Sequence, residues 1–433
     1  MKFKNIIQNL GANLLITLLG LVGSVILARW LGPNQRGVFD AIILIPTILQ
    51  YFVNFGLSSA TVYFTAQPNS NKNAIWSSLL LIGFIQSVIG FLLGWFIVEL
   101  YLQKYFINSI YLGHLYLLTV PMGLFGMYAT YMLQGASHFK ITNFLKCIVP
   151  IGYCIGILWL KFHHNLSIEN LVYLQLVIQF SYLIIAVFFL YKIFLTYFLF
   201  KIEYDFIRQM LTYSTKIWFG DISQLVNSRV DQFLIGVFLS SQELGIYTVA
   251  ISVAGFTGIF ANAVRTIMLP SIIGRKSFQE KITETLNFFK KYWFFSIFFH
   301  AIFALILPFL IPFVFGNTYS ESIIICQILI VGSFFVNAKT VLSGGVLGMG
   351  FPEILSYVEA IGMIISIILS ILLIRINGLI GISIAISLAS FCQFLGLVIF
   401  THKKGIPYKK IFYTSRNKLN ENFKWLKNSI QII

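Results

Sequence analysis

Apolar residues run through this chain in long blocks, separated by short polar stretches and without the two-residue alternation of a barrel strand. About 20 consecutive apolar residues suffice for a helix to cross a bilayer core of about 30 Å. The blocks predict twelve such helices, over residues 10–31, 39–66, 74–98, 109–134, 142–162, 168–191, 217–239, 246–270, 292–315, 322–347, 354–374 and 379–400. Pro46, Pro121, Pro150, Pro308 and Pro312 fall inside them. Bundled membrane helices tolerate proline because neighbours satisfy the freed backbone groups.

Composition agrees. Of 433 residues, 58% are hydrophobic and 10% charged, with mean hydropathy +0.86. A water-soluble surface cannot be built from so few polar residues. The expected class is an all-α polytopic membrane protein. Charge then predicts its orientation. With the N-terminus inside, twenty-one lysines and arginines fall in inner segments and the tail, against only Arg36, Lys104, Lys161 and Arg375 outside. This bias places both termini in the cytoplasm. The net charge of +16 is concentrated in the same inner segments, so its expected partner is anionic lipid and not nucleic acid. The first apolar run ends in Arg29-Trp30-Leu31-Gly32-Pro33, not in the small residues of a cleavage site. Cys147, Cys154, Cys326 and Cys392 lie within spans and read as small apolar residues, with no metal site expected.

Two stretches look alike. LARWLGPNQRGVFDAIILI (27–45) and IGVFLSSQELGIYTVAISV (235–253) align so that Leu31 meets Leu239, Gly37 meets Gly245 and Phe39 meets Tyr247. MLQG (132–135) and VLGMG (346–350) match at a similar offset. Six helices separate the matching points, so the repeats are parallel, related by an axis along the membrane normal, a layout found in transporters. The expected divisions are 1–200 and 201–400, one six-helix bundle each, and a basic cytoplasmic tail, 401–433. Substrate would then sit between the halves near the midplane, and rocking of one half against the other would give alternating access.

Several of these residues carry a family resemblance. ARWLGP (28–33), GLSSATVYF (56–64), LQG (133–135), RVDQFLIGVFL (229–239) and GIYTVA (245–250) resemble the Wzx-type O-antigen flippases. These form the polysaccharide-exporter branch of the multidrug, oligosaccharidyl-lipid and polysaccharide exporter superfamily. The resemblance covers essentially the whole chain. It implies two six-helix bundles around a central cavity, in a bacterial cytoplasmic membrane. It also implies movement of undecaprenyl-pyrophosphate-linked oligosaccharide to the outer leaflet, with other polysaccharide-assembly membrane proteins as further partners.

A charge within a span is costly, and therefore usually faces a wet cavity or a bundle interior. Arg229, Lys339, Arg265 and Lys146 are the candidates for binding an anionic headgroup, Arg229 and Lys339 being the deepest. Arg29 and Asp40 flank the first outer turn and are read as bracing it. On the seventh helix Asp221, Gln224, Ser228 and Asp231 fall along one side, either lining a cavity or joining helices. Arg229 is rotated about 200° from Asp231 and is not expected to pair with it. The second alignment sets Lys146 opposite Glu359, which suggests an ion pair across the two-fold axis, unless each serves its own half. Asp221, Asp231 and Glu359 are candidates for binding a coupling proton or sodium ion; no cofactor is expected.

Competing functions find less support. There is no HExxH, GxSxG or P-loop, and the adjacent His163 and His164 have no nearby acid, so no enzyme is expected. Drug-like cation export would favour acidic cavities, whereas five cations stand against four acids within the spans. Peptidoglycan-precursor flippases resemble this chain less, since its first helix is uncharged until Arg29.

Overall fold

The computed structural model describes residues 3–68, 70–104, 107–194, 200 and 202–403. They form thirteen α-helices and one 3-10 turn, with no strand among the described residues. The helices are α1 (Phe3–Asn54), α2 (Leu57–Ala66), α3 (Lys72–Leu102), α4 (Ile107–Tyr116), α5 (Thr119–Gly135), α6 (Phe139–Phe162) and α7 (Ile168–Phe194) in the first half. The second half holds α8 (Tyr204–Phe238), α9 (Ser241–Phe256), α10 (Gly258–Ile273), α11 (Phe278–Phe315), α12 (Ser322–Met349) and α13 (Pro352–Lys403).

Among the described residues, nine helical stretches are long and apolar enough to cross a membrane. Twelve predicted spans reduce to nine for reasons visible in the chain. Helix α1 is two spans joined at Gly32, whose φ of 71° no helix contains. Arg36 there reaches the Ser24 carbonyl oxygen, which a straight helix would place about 18 Å away along the axis. The chain therefore folds back, and Pro33 opens the second arm, where its missing N–H costs nothing. Helix α13 likewise breaks at Asn377 and Gly378, the latter at φ 51°. The third discrepancy is α8, the seventh span, whose polar residues exclude it from the apolar set.

Other boundaries follow local chemistry. The Asn71 side chain caps α3 by accepting from the Ala74 N–H. Ser240 and Glu243 form a reciprocal capping box at α9, and Ser277 caps α11. The second, fourth and eighth spans are each interrupted, at Phe55–Gly56, at Leu117–Leu118 and at Thr257.

The most extensive helix contact is between α1 and α9, one from each half. At its centre Pro33 and Gly37 meet Ser241 and Gly245 backbone to backbone, with each glycine facing a carbonyl of the other helix. These four positions are the aligned ones of the two repeats, so the seam lies on the repeat axis. Large apolar side chains such as Phe96, Leu100, Phe309 and Phe313 point outward, as a lipid-facing surface requires. The predicted tail, 401–433, lies outside the described residues beyond Lys403.

Candidate functional site: a polar cavity in the second half

Helices α8, α10, α12 and α13 enclose a cavity of about 910 Å³. It extends to Lys216, Pro352 and Glu353, at one end of the bundle. All its lining residues belong to the second half, whereas the repeat argument expected a site between the halves. The reason is in the sequence of α8, where Asp221, Gln224 and Ser228 present polar groups to the cavity at helical spacing.

Lys339 and Glu359 form the centre of the cavity wall. The Lys339 ammonium donates to Glu359 Oε1 at 2.6 Å and to Gln393 Oε1 at 2.6 Å. Asn227 on α8 donates to the other carboxylate oxygen of Glu359 at 2.9 Å, and to its main-chain carbonyl at 3.0 Å. Three helices are thus tied through one ion pair. Each side chain is partly exposed, 13% for Lys339 and 21% for Glu359, so both remain open to the cavity. Arg265 lines the same cavity, and among the described residues its guanidinium makes no hydrogen bond or ion pair. The lining charges are Lys216, Arg265 and Lys339 against Asp221, Glu353 and Glu359. The expected excess of cations is therefore absent from this lining.

The remaining candidates lie elsewhere. Arg229 is not in the cavity wall; it donates to Gln232 Oε1 at 3.0 Å. Asp231 is buried against α9, accepting from the Tyr247 hydroxyl at 2.9 Å and the Gln232 N–H at 2.7 Å. Ten residues of helix rotate it about 80° from Asp221, which turns it from the cavity towards α9. No ion pair joins Lys146 to Glu359. Glu359 is held by Lys339 from its own half, and Lys146 lies on α6, outside the cavity lining. Asp40 pairs with Arg36 at 2.8 Å, and both are buried. Arg36 also reaches Ser24 across the turn.

Arg29 does something the sequence did not suggest. Its Nε donates to the Val314 carbonyl at 2.6 Å and its Nη2 to that of Phe313, at the end of α11. Lys104, after α3, donates to the Val237 and Leu239 carbonyls at 2.9 and 2.8 Å, at the end of α8. Each cation thus runs from the first half onto the C-terminal carbonyls of a second-half helix, where the helix dipole favours it. Partial burial pulls the Lys104 ammonium below its ordinary pKa, with Glu243 opposing. Together the two contacts tie the halves to each other at the end of the bundle opposite the cavity mouth.

Asn227 and Gln393 were missed because neutral amides give no signal against a background of helix-joining polar residues. Lys104 stood among the loop charges, where its reach across the halves was not legible. No group of three or more histidine, cysteine, aspartate or glutamate side chains able to hold a metal occurs among the described residues.

Comparison with known proteins adds an independent line. The profile of a family described as polysaccharide biosynthesis protein matches residues 26–324. A capsular polysaccharide biosynthesis protein, CapF of Staphylococcus aureus, is 24% identical over 411 residues, 93% of this chain and 98% of that one. An uncharacterized membrane protein of Methanocaldococcus jannaschii is 25% identical over 389 residues, covering 86% of this chain and 90% of its own. Among solved structures, the lipid II flippase MurJ in an inward closed conformation superposes with a TM-score of 0.77 at 18% identity, over 96% of this chain and 92% of that one. An inward-facing MATE-family multidrug transporter superposes with a TM-score of 0.72 at 13% identity, over 90% and 96%. At such identities the likeness is one of fold, two six-helix bundles.

Proposed function

Because the chain belongs to the family of polysaccharide biosynthesis proteins matched over residues 26–324, we propose that it flips a lipid-linked oligosaccharide across the membrane. The substrate that the resemblance to the O-antigen flippases implies is an undecaprenyl-pyrophosphate-linked repeat unit. It moves from the cytoplasmic to the outer leaflet of a bacterial cytoplasmic membrane by alternating access, for surface polysaccharide.

The observation that carries this reading is the pairing state of the cavity cations. Arg265 lines the cavity within the field of Glu359 but forms no hydrogen bond or ion pair among the described residues, and a guanidinium matches phosphate oxygens in a bidentate manner. Lys339 is held by a carboxylate that an incoming phosphate can replace. The sugar moiety would meet the hydroxyls and amides of Ser228, Thr340, Ser343 and Gln224. The tied end at Arg29 and Lys104 and the cavity at the other end fit a state awaiting substrate from the cytoplasm.

The test is to extract lipid-linked oligosaccharides from a strain lacking the protein and to determine which leaflet holds them. A complete repeat unit accumulating on the inner leaflet, with loss of surface polysaccharide, is the expected result. An unchanged pool would overturn it. The acids Asp221, Glu353 and Glu359 in the same wall favour a second reading in that event, the export of an organic cation. A full pool already on the outer leaflet would point to polymerisation or ligation.

A further inference from the structure

His300 is buried inside α11, 5% exposed, within the ninth span. Its Nδ1 lies 2.8 Å from the Ser296 carbonyl oxygen, which can only accept, so the partner chemistry assigns the proton of the neutral ring to Nδ1. The Nε2 lone pair then faces the side-chain amide of Asn337 on α12, at 3.3 Å. The same Asn337 Nδ2 donates to the Thr257 hydroxyl at 2.9 Å. Thr257 is the single residue between α9 and α10, and its hydroxyl closes the end of α9 by donating to the Ala254 carbonyl at 2.8 Å. A chain of hydrogen bonds therefore links a histidine to a helix break, with the Ser333 hydroxyl, at 3.2 Å, a second and longer acceptor for Thr257.

We propose that His300 is the proton-binding site of the transporter, and that its occupancy is relayed through Asn337 to the α9–α10 break. This rests on the reading of the chain as a transporter. A proton added at Nε2 would bring an N–H donor against the Asn337 NH2, which is also a donor. The amide must turn to offer its oxygen instead. That oxygen then also faces Thr257, whose hydroxyl can satisfy it only by leaving Ala254. The α9 end thereby loses its side-chain bond to Ala254 and keeps only the one from the Thr257 N–H. No bond between heavy atoms changes, and the one proton taken up is released when the amide returns.

The surroundings make this histidine a plausible single switch in physical terms. The rings of Phe299 and Phe334 flank it. The titratable group nearest it on α11 is Tyr292, reached through the Ser296 hydroxyl. On α12 the charged neighbour is Lys339, two residues beyond Asn337 and turned to the cavity. On α10 it is Arg265, eight residues beyond Thr257, also in the cavity wall. No carboxylate is hydrogen-bonded to the ring among the described residues. The break itself joins α9, which forms the seam with α1, to α10, which carries Arg265. One proton is thus placed to act on both the seam and the cavity.

The experiment needs no substrate, so its outcome is separable from that of the leaflet assay. Spin labels are placed at Gln67→Cys and Lys276→Cys, one in each half, in the full chain with its four native cysteines replaced, reconstituted in lipid nanodiscs. Distances are measured by double electron–electron resonance between about pH 5.5 and 8. For one coupled proton, the ratio of the two populations is expected to change by up to about tenfold per pH unit. His300→Gln is expected to abolish that dependence, and so is Asn337→Leu, which leaves the imidazole in place. A distribution that does not change with pH in the chain carrying His300 overturns the proposal, whether or not either variant folds. So does a pH response that persists in His300→Gln.

Discussion

Gly37 and Gly245 occupy equivalent places on opposite sides of the seam between the halves. A Cβ on Gly37 would lie 1.7 Å from the Ser241 carbonyl oxygen, and one on Gly245 would lie 2.0 Å from that of Pro33. Those neighbours are backbone and cannot move aside as a flexible side chain could. Gly37→Ala and Gly245→Ala are each expected to destabilise the protein by about 1–3 kcal/mol through overpacking. Thermal unfolding in detergent would report this as a lowered midpoint. Gly20→Ala is the control, since nothing lies within 4 Å of its added Cβ, and its midpoint should be unchanged or raised.

The Lys339–Glu359 pair makes a contrasting prediction. Lys339→Met leaves a part-buried carboxylate without its cation and should lower stability by about 1–3 kcal/mol, below the range of a fully buried pair. Exchanging the two charges, Lys339→Glu with Glu359→Lys, should recover most of that loss. The same exchange between Lys146 and Glu359 should recover nothing. Rescue by the latter and not by the former would show that the pair described here is not the one the protein relies on.

The expected and observed sites differ in ways that trace to particular residues. Asp221, Gln224 and Ser228 were legible because helical spacing alone puts them on one side. Asp231 shares that spacing but drifts off the face over ten residues, and only the position of Tyr247 reveals where it goes. The folds at Gly32 and Asn377-Gly378 were legible as turn signals between apolar runs. The break at Thr257 was not, because the apolar run continues through it and membrane helices tolerate glycines such as Gly255 and Gly258. His300 gave no pattern at all, since an isolated histidine in an apolar run acquires meaning only from Asn337 on another helix.

Arg265 should separate binding from folding. It makes no hydrogen bond or ion pair among the described residues, and Glu359, the acid whose field it feels, keeps Lys339 when Arg265 is changed. Arg265→Gln is expected to keep the unfolding midpoint within about 2 °C. Surface polysaccharide should nevertheless fall by about tenfold or more, since a charge-assisted contact to phosphate contributes roughly 1.5–3 kcal/mol. A variant that exports normally would remove Arg265 from the binding site.

Arg29 and Lys104 should govern access from the far end. Ser24 and Ser252 meet across the seam at 3.1 Å, behind that end. Ser24→Cys, in a chain without native cysteines, should label slowly with an impermeant thiol reagent added outside. Arg29→Gln and Lys104→Gln should each raise that labelling several-fold, and the double variant more. Equal rates in all four would mean that the closure lies elsewhere.

Both of those contacts end on main-chain oxygens, of Phe313, Val314, Val237 and Leu239. A carbonyl is present whatever side chain its residue carries. The receiving half can therefore accumulate substitutions at those four positions without losing the acceptors, provided that the helix ends keep their path. Mutational risk falls wholly on the two donors. The tie is robust to sequence drift on one side and dependent on two codons on the other. Divergence of the second half can thus proceed without loosening the tie between the halves at that end.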